Sequence, residues 1–269
     1  MEGQKKKFSF AVFVVGLVML FSLSMYVLAY GEDEEKVIEL GKKVYNTYCV
    51  ICHGTKGDGK GLVGIINRFQ RKGVVVNIYP RDFTVGVFKF RTTPTGCLPT
   101  DNDLLRVVTN GIPRSGMPSH ANISLEKRRA VIEYIKTFSP RWEEEEPCDP
   151  IPVRKPDWVG CPESVAKGKE LWKKMKCWEC HGEEGKGDGP KAFKLKDDWG
   201  DPILPFDFTT GATKMGFAPE NVYTAYTTGL DGTGMPSYQD SMSEEQRWHL
   251  VSYTLKLMNR LKDVKKRCK

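Results

Sequence analysis

Between Phe8 and Tyr30 the chain carries no charge, and three lysines stand directly ahead of that run in "MEGQKKKFSF". Charge then returns abruptly in "GEDEEK". A positive start followed by a long apolar run predicts an N-terminal hydrophobic helix that takes the rest of the chain across a membrane. It is either an uncleaved anchor or a signal peptide cut after Ala29, in "VLA". Either way, residues 31–269 stand on the extracytoplasmic face, in the periplasm of a bacterium. Beyond this module the apolar positions recur at helical spacing. In "EEKVIELGKKVYNTYC" Val37, Leu40, Val44 and Tyr48 share one face, and in "SVAKGKELWKKMKC" Val165, Leu171, Trp172 and Met175 do so less regularly. "SLEKRRAVIEYIKTF" predicts a helix capped by Ser124 that buries Leu125, Ala130, Val131, Tyr134, Ile135 and Phe138. "SEEQRWHLVSYTLKLMNRL" predicts another, with Ser243 and Gln246 in capping-box positions. No clean strand alternation or hairpin signal stands out, so the fold class is all-α.

The pattern is written twice. "CVICHG" at 49–54 answers "CWECHG" at 177–182, and "YPRDFTVG" at 79–86 answers "LPFDFTTG" at 204–211. "DLLRVVTNGIPRSGMPS" at 103–119 answers "ENVYTAYTTGLDGTGMPS" at 220–237. A period near 120 residues is too long for a solenoid and implies tandem domains. "SPRWEEEEPCDPIPVRKPDWVGCPES" at 139–164 is rich in proline and acid, without apolar periodicity, and reads as a stiff linker. The expected organisation is 1–30 anchor or signal, 31–140 first domain, 141–160 linker and 161–269 second domain. Each domain has helices at its ends and a Gly/Pro-rich middle, and buries little core by itself.

The net charge of +7 is unevenly spread, with 17 basic and 11 acidic groups in residues 31–140 against 18 and 16 in residues 161–269. A basic first half can steer an acidic partner. Nucleic acid is excluded as a partner, because no basic stripe interleaved with aromatics appears.

The repeated Cys-x-x-Cys pairs admit four chemistries. A dithiol oxidoreductase wants a βαβ setting, which is absent. Structural zinc wants four ligands, and each repeat has one pair and one histidine. A plain disulfide leaves the following histidine unexplained. Cys-x-x-Cys-His is the signature of covalent haem attachment. The two thiols add to the two vinyl groups, and the next residue brings its imidazole beneath the iron. On this reading Cys49, Cys52, Cys177 and Cys180 attach two haem c groups, and His53 and His181 are iron ligands. The macrocycles also fill the interior that a loop-rich chain lacks.

A sixth ligand stands at matching places: Met117 in "SGMPS" and Met235 in "TGMPS", each in a Gly/Pro loop ahead of the last helix. A lone Met is ordinarily core filler, but these two repeat in register with the pentapeptides. His/Met ligation raises the reduction potential, as suits an electron carrier. His120 and His249 are rival ligands whose plainer reading is surface or helix histidine. The glycines of "KGDGKG" and "KGDGP" permit tight turns near the ring, and this loop is the expected source of the carbonyl that orients each ligand histidine. Gly41 and Gly168 are expected to let the first and last helices approach closely.

These stretches together resemble class I c-type cytochromes. "LGKKVYNTYCVICHGTKGDGKG" and "KGKELWKKMKCWECHGEEGKGDG" are similar to that family's first helix and attachment motif, and the two Met-Pro-Ser loops to its distal loop. The resemblance covers about residues 33–140 and 161–260. It implies two tandem class I cytochrome c-like domains, each wrapped round a covalent haem. It further implies outer-sphere electron transfer between respiratory-chain partners: a quinol-oxidising complex or periplasmic oxidoreductase on one side, a terminal oxidase or reductase on the other. Cys97, Cys148, Cys161 and Cys268 depart from the pattern. Outside the cytoplasm such spare cysteines suggest disulfides, with Cys148–Cys161 the first pairing expected. Cys97 is left to join a linker cysteine or to serve as a thiolate ligand. Cys97 and His120 keep an alternative open, a dihaem redox enzyme of peroxidase or thiosulfate-oxidising type with one unusually ligated haem.

Overall fold

The computed structural model describes residues 33–63, 67–71, 73–112 and 114–268. The expected N-terminal hydrophobic helix at 1–30 lies outside the described residues. Among those described, no helix is long and apolar enough to cross a membrane.

The first half runs through α1 (33–48), α2 (Val50–His53), β1 (Asn67–Arg71), β2 (Val74–Ile78), α3 (Asp101–Asn110), α4 (Leu125–Lys136) and α5 (Arg141–Glu144). The second runs through α6 (Pro162–Lys174), α7 (Trp178–His181), α8 (Pro219–Thr228) and α9 (Glu244–Leu257). Local chemistry sets the ends. Thr100 and Asp103 form a capping box on α3, and Ser243 and Gln246 form one on α9. The Ser124 side chain accepts from the Lys127 amide to start α4. Pro162 and Pro219 stand in the first turns of α6 and α8, where no amide is needed.

In each half the first helix crosses the last through a glycine. A Cβ on Gly41 would run into the carbonyl of Ala130, and one on Gly168 into the carbonyl of His249. The close approach stacks aromatics beneath the crossing. The Tyr45 ring lies 5.3 Å from Tyr134 and 5.2 Å from Phe138. In the second half Trp172 lies 5.6 Å from Tyr253 and 5.9 Å from Phe208. Two separate apolar cores result, one around Tyr45, Val131 and Ile132, the other around Trp172, Trp248 and Leu250.

Several expectations change. Val44 and Tyr45, not Val37 and Tyr48, form the buried face of α1: Val37 is 39% exposed and Tyr48 45%. Leu125 is exposed in the first turn of α4, while Ile132 takes the buried place beside Val131. A hairpin is also present. β1 and β2 pair antiparallel, with Arg71 opposite Val74 at the turn end. Gly73 supplies the positive φ of 79° that the reversal needs, and the β-branched run Val74–Val76 follows it. The pairing Cys148–Cys161 does not form. Cys97 bonds to Cys148, and Cys161 to Cys268. The linker explains why. Its start folds back on the first half, where Arg141 donates to the carbonyls of Gly86 (2.8 Å) and Gly96 (2.9 Å). The Ile151 amide donates to Thr92 O at 2.8 Å. Its end enters the second core through Val159, so Cys148 and Cys161 belong to different halves.

The halves meet over polar contacts. Arg91, fully buried, pairs with Asp231 at 2.8 Å and donates to the Thr228 carbonyl at 3.1 Å. Asp231 also accepts from Thr95 Oγ1 (2.7 Å) and the Gly96 amide (3.1 Å). Arg114 donates to Thr210 Oγ1 (2.5 Å) and to its carbonyl (2.6 Å).

Candidate haem-binding sites

Each Cys-x-x-Cys-His pentapeptide folds as a single helical turn closed by a glycine. The His53 amide donates to Cys49 O at 2.9 Å, and the His181 amide to Cys177 O at 2.9 Å. Gly54 and Gly182 then leave the turn with φ of 76° and 80°. The approach differs by one residue. α1 runs straight into Cys49, whereas α6 ends at Lys174 and needs Lys176 in the left-handed region, φ 56°, before Cys177. The preceding aromatic closes both turns: Tyr45 Oη donates to Gly54 O at 2.7 Å, and Trp172 Nε1 to Gly182 O at 3.3 Å.

The carbonyl that orients each histidine comes from the "DFT" segment, not from the glycine loop. His53 Nδ1–H donates to Arg81 O at 3.0 Å, and His181 Nδ1–H to Phe206 O at 3.1 Å. A carbonyl only accepts, so Nδ1 carries the proton and the Nε2 lone pair is free for a metal. The segment is fixed by its own aspartate. Asp82 accepts from the Thr84 amide and hydroxyl at 2.9 and 2.6 Å, and Asp207 accepts likewise from Thr209 at 3.0 and 2.6 Å. Phe83 packs its ring 4.5 Å from His53, and Phe208 lies 5.0 Å from His181. The glycine loop holds this segment in place: the Phe83 amide donates to Gly57 O at 2.7 Å and the Phe208 amide to Gly185 O at 2.8 Å. Burial lowers the pKa of both imidazoles, opposed by these hydrogen bonds, and so favours the neutral ligand form.

The methionine loops are also built alike. The Ile112 amide donates to Met117 O at 3.1 Å, and the Leu230 amide to Met235 O at 3.1 Å. Ser119 Oγ donates to Thr109 O at 2.7 Å and Ser237 Oγ to Thr227 O at 2.6 Å, tying each loop to the helix before it. His120 takes the place that Tyr238 holds in the second half: their amides donate to Val108 O (3.2 Å) and Tyr226 O (2.9 Å). His249 is occupied elsewhere. Its Nδ1 shares a hydrogen bond with Ser164 Oγ at 2.8 Å, and its Nε2 lies 3.3 Å from Glu245.

This donor set fits haem attachment better than its rivals. Cys49, Cys52, Cys177 and Cys180 are free thiols in a chain whose other four cysteines are paired. Burial pushes Cys49 up to about 11 and Cys177 up to about 12, so neither is the low-pKa nucleophile of a redox dithiol at neutral pH. Among the described residues, no three or more His, Cys, Asp or Glu side chains are grouped to hold a metal ion. Cys97, in its disulfide, has no thiolate to offer.

The outer faces of the two sites differ. Beside the first pentapeptide Tyr48, Ile51, Leu62 and Val63 are exposed, Leu62 to 96%. The Val63 amide there donates to Ile51 O at 2.9 Å. At the same place in the second half the Lys191 amide donates to Glu179 O at 2.8 Å, and the two side chains form an ion pair at 2.5 Å.

Comparison with known proteins agrees with this doubling. The family described as cytochrome c matches residues 165–257. The family described as cytochrome c oxidase, cbb3-type, subunit III matches residues 37–135. No curated protein matches the chain. A solved chain from the reducing HAO-like protein complex of Kuenenia stuttgartiensis is 42% identical, with a TM-score of 0.75, over 82% of this chain and 96% of that one. The chain belongs to the c-type cytochromes, with two cytochrome c domains in tandem.

Proposed function

We propose that this protein is a dihaem electron carrier, with domains at 31–140 and 161–269 joined by the linker 141–160. Cys49 and Cys52 in the first domain, and Cys177 and Cys180 in the second, form the thioether links. His53 and His181 are the proximal ligands, and Met117 and Met235 the distal ones. Cytochrome c domains imply electron transfer and covalently bound haem c. Bound haem iron supplies one-electron exchange by outer-sphere tunnelling through an exposed edge. The chain's own residues do the rest. Arg81 O and Phe206 O hold the imidazole tautomer, while Phe83 and Phe208 keep water from the proximal side.

One observation carries this reading: both pentapeptide histidines donate Nδ1–H to a carbonyl of the same repeated segment, leaving Nε2 free. The reading places the protein outside the cytoplasm, in keeping with its two disulfides. The partners are redox proteins of a respiratory chain. The solved relative belongs to a complex, and we infer a comparable role here as an electron-transfer subunit. The exposed apolar face at Ile51, Leu62 and Val63 suits transient docking. Residues 54–73 carry five basic groups and one acidic, whereas residues 182–201 carry four and six. An acidic redox protein therefore fits the first face better.

A pyridine haemochrome assay with intact mass tests the reading. Two haems per chain are expected, and one or none overturns it. The same mass shows whether residues 1–29 remain as a membrane anchor.

A further inference from the structure

The same two positions of the repeat meet across the junction in both directions. One lies in the methionine loop, where Arg114 of the first half answers Gly232 of the second, each three residues before its methionine. The other is the residue whose carbonyl orients the histidine, Arg81 or Phe206. The guanidinium of Arg114 lies over the Phe206 ring, 5.5 Å from the centroid. In the opposite direction the guanidinium of Arg81 lies over Trp199, 5.0 Å from the centroid. Gly232 leaves room for that ring: a Cβ there would strike it and lie 3.6 Å from Arg81 Nη1. The cation comes from the distal loop in one contact and from the histidine-orienting residue in the other.

Arg114 is costly where it stands. The two loops form the same turn, with the Ser115 amide donating to Ile112 O at 3.2 Å and the Thr233 amide to Leu230 O at 3.1 Å. Both turns have a positive φ at the third place, 77° at Gly232 and 62° at Arg114. Glycine takes that conformation freely, and an arginine is strained in it. Strain of this kind persists only where the surroundings hold it. Here they do: Arg114 Nη1 donates to Thr210 Oγ1 at 2.5 Å, and Nη2 to Thr210 O at 2.6 Å. Thr210 also departs from its copy, for the first half has Val85 there, which offers no hydroxyl. Both partners of the contact thus differ from their counterparts, each in the direction the contact requires.

Thr210 and Phe206 lead on to the second histidine. Thr210 Oγ1 donates to Asp207 O at 2.6 Å, closing the turn that follows Phe206. The Phe206 ring packs 5.5 Å from Phe208, which lies 5.0 Å from His181, and Phe206 O accepts His181 Nδ1–H at 3.1 Å. At its other end Arg114 adjoins Ser115, whose Oγ donates to Ile112 O at 2.7 Å within the Met117 loop. We propose that Arg114 is a positioning residue that sets the Met117 loop of the first half and the His181 carbonyl of the second together, so that ligation at one iron is linked to ligand strength at the other. The inference rests on the dihaem reading above and adds a mechanical link between its two sites. A firm Nδ1–H···O bond makes an imidazole a more basic ligand, which favours the oxidised iron. Loosening the Phe206 segment therefore raises the potential of the second haem.

The test is proton NMR of the reduced, full haem-loaded chain, reading the methyl signals of the two ligand methionines and the Nδ1–H signals of the two ligand histidines, together with potentiometry resolved for two haems. Arg114 and Thr210 are both exposed, so variants there should fold. Arg114→Gly keeps the turn and removes the strut. It should shift the Met117 methyl and the His181 Nδ1–H and leave the signals of Met235 and His53 in place. Thr210→Val, in the second half, should also shift the Met117 methyl. Arg114→Lys keeps the charge but not the planar fork or its stacking, and should raise the potential of the second haem. If Arg114→Gly moves signals of one half alone, or Thr210→Val those of the second half alone, the link is wrong. If no signal moves, Arg114 is a surface contact only. Equal shifts at all four groups would show a general loosening and would also overturn the link, as would an unchanged or lower second potential in Arg114→Lys. A chain with fewer than two haems would remove the functional reading itself, an outcome distinct from these.

Discussion

His53 and His181 are aimed by atoms that carry no side-chain identity. The pentapeptides themselves are legible, because attachment chemistry fixes three residues at one spacing within five. The acceptors are not, because Arg81 and Phe206 offer only their backbone carbonyls, and an arginine and a phenylalanine share no other chemistry. The available signal was the recurrence of "DFT" in both halves, whose Asp and Thr build the turn that presents the carbonyl. The distal side yields a prediction at this scale. Met117→Leu should abolish the methionine–iron absorption of one haem and lower its potential, and Met235→Leu should do the same at the other. His120→Ala should leave both spectra intact, since Tyr238 fills the same position in the second half without being able to ligate as an imidazole does. An optical titration of the three variants decides it. A loss on His120→Ala, with Met117→Leu unchanged, would reassign the first distal ligand.

At the scale of elements, helix starts were readable and buried faces less so. Ser124 and the Ser243–Gln246 box act through bonds within one turn, so sequence suffices to find them. Which side of α1 is buried depends on α4, and α4 docks on the glycine side. Tyr45 is therefore buried, and Tyr48 is left exposed beside Ile51. The hairpin is not legible in the sequence because its strands are short and no Asn-Gly or Asp-Gly signal stands between them. The glycine crossings invite a direct test. Gly41→Ala and Gly168→Ala should each destabilise the haem-loaded protein by about 1–3 kcal/mol through overpacking, read as a lower thermal midpoint. Gly73→Ala has open space around it and should cost only the strain of its positive φ, on the order of 1 kcal/mol. The second crossing also carries pH dependence. Burial lowers the pKa of His249, with Glu245 opposing. A histidine with a folded pKa below its unfolded value of about 6.5 takes up its proton more readily when unfolded. Its contribution to stability is therefore full above that value and is lost as pH falls through it. The thermal midpoint should drop between pH 7 and pH 5, and His249→Gln should flatten that slope.

For the molecule as a whole, the linker and the four spare cysteines decide how the halves are held. Proximity in sequence favoured Cys148–Cys161, but the linker divides its allegiance, and each cysteine bonds within its own side of the divide. Cys97–Cys148 closes a loop of 51 residues and fastens the linker's first turn beside Gly96, whose amide reaches Asp231 across the junction. Cys161–Cys268 spans 107 residues and returns the C-terminal segment to the start of α6. In the chain-entropy view, both long loops restrain the unfolded state strongly, by about 4 kcal/mol or more each. The pairing separates two accounts of Cys97 cleanly. If Cys97 serves only as a covalent brace, Cys97→Ser and Cys148→Ser should lower the thermal midpoint by the same amount. The double variant should be no worse than either single one, and the oxidised haem spectrum should be unchanged in all three. If Cys97 were instead a thiolate ligand, Cys97→Ser alone would alter the spectrum, and Cys148→Ser would not mimic it. The cycle is diagnostic because a disulfide is lost whole when either sulfur is removed, whereas a ligand belongs to one residue.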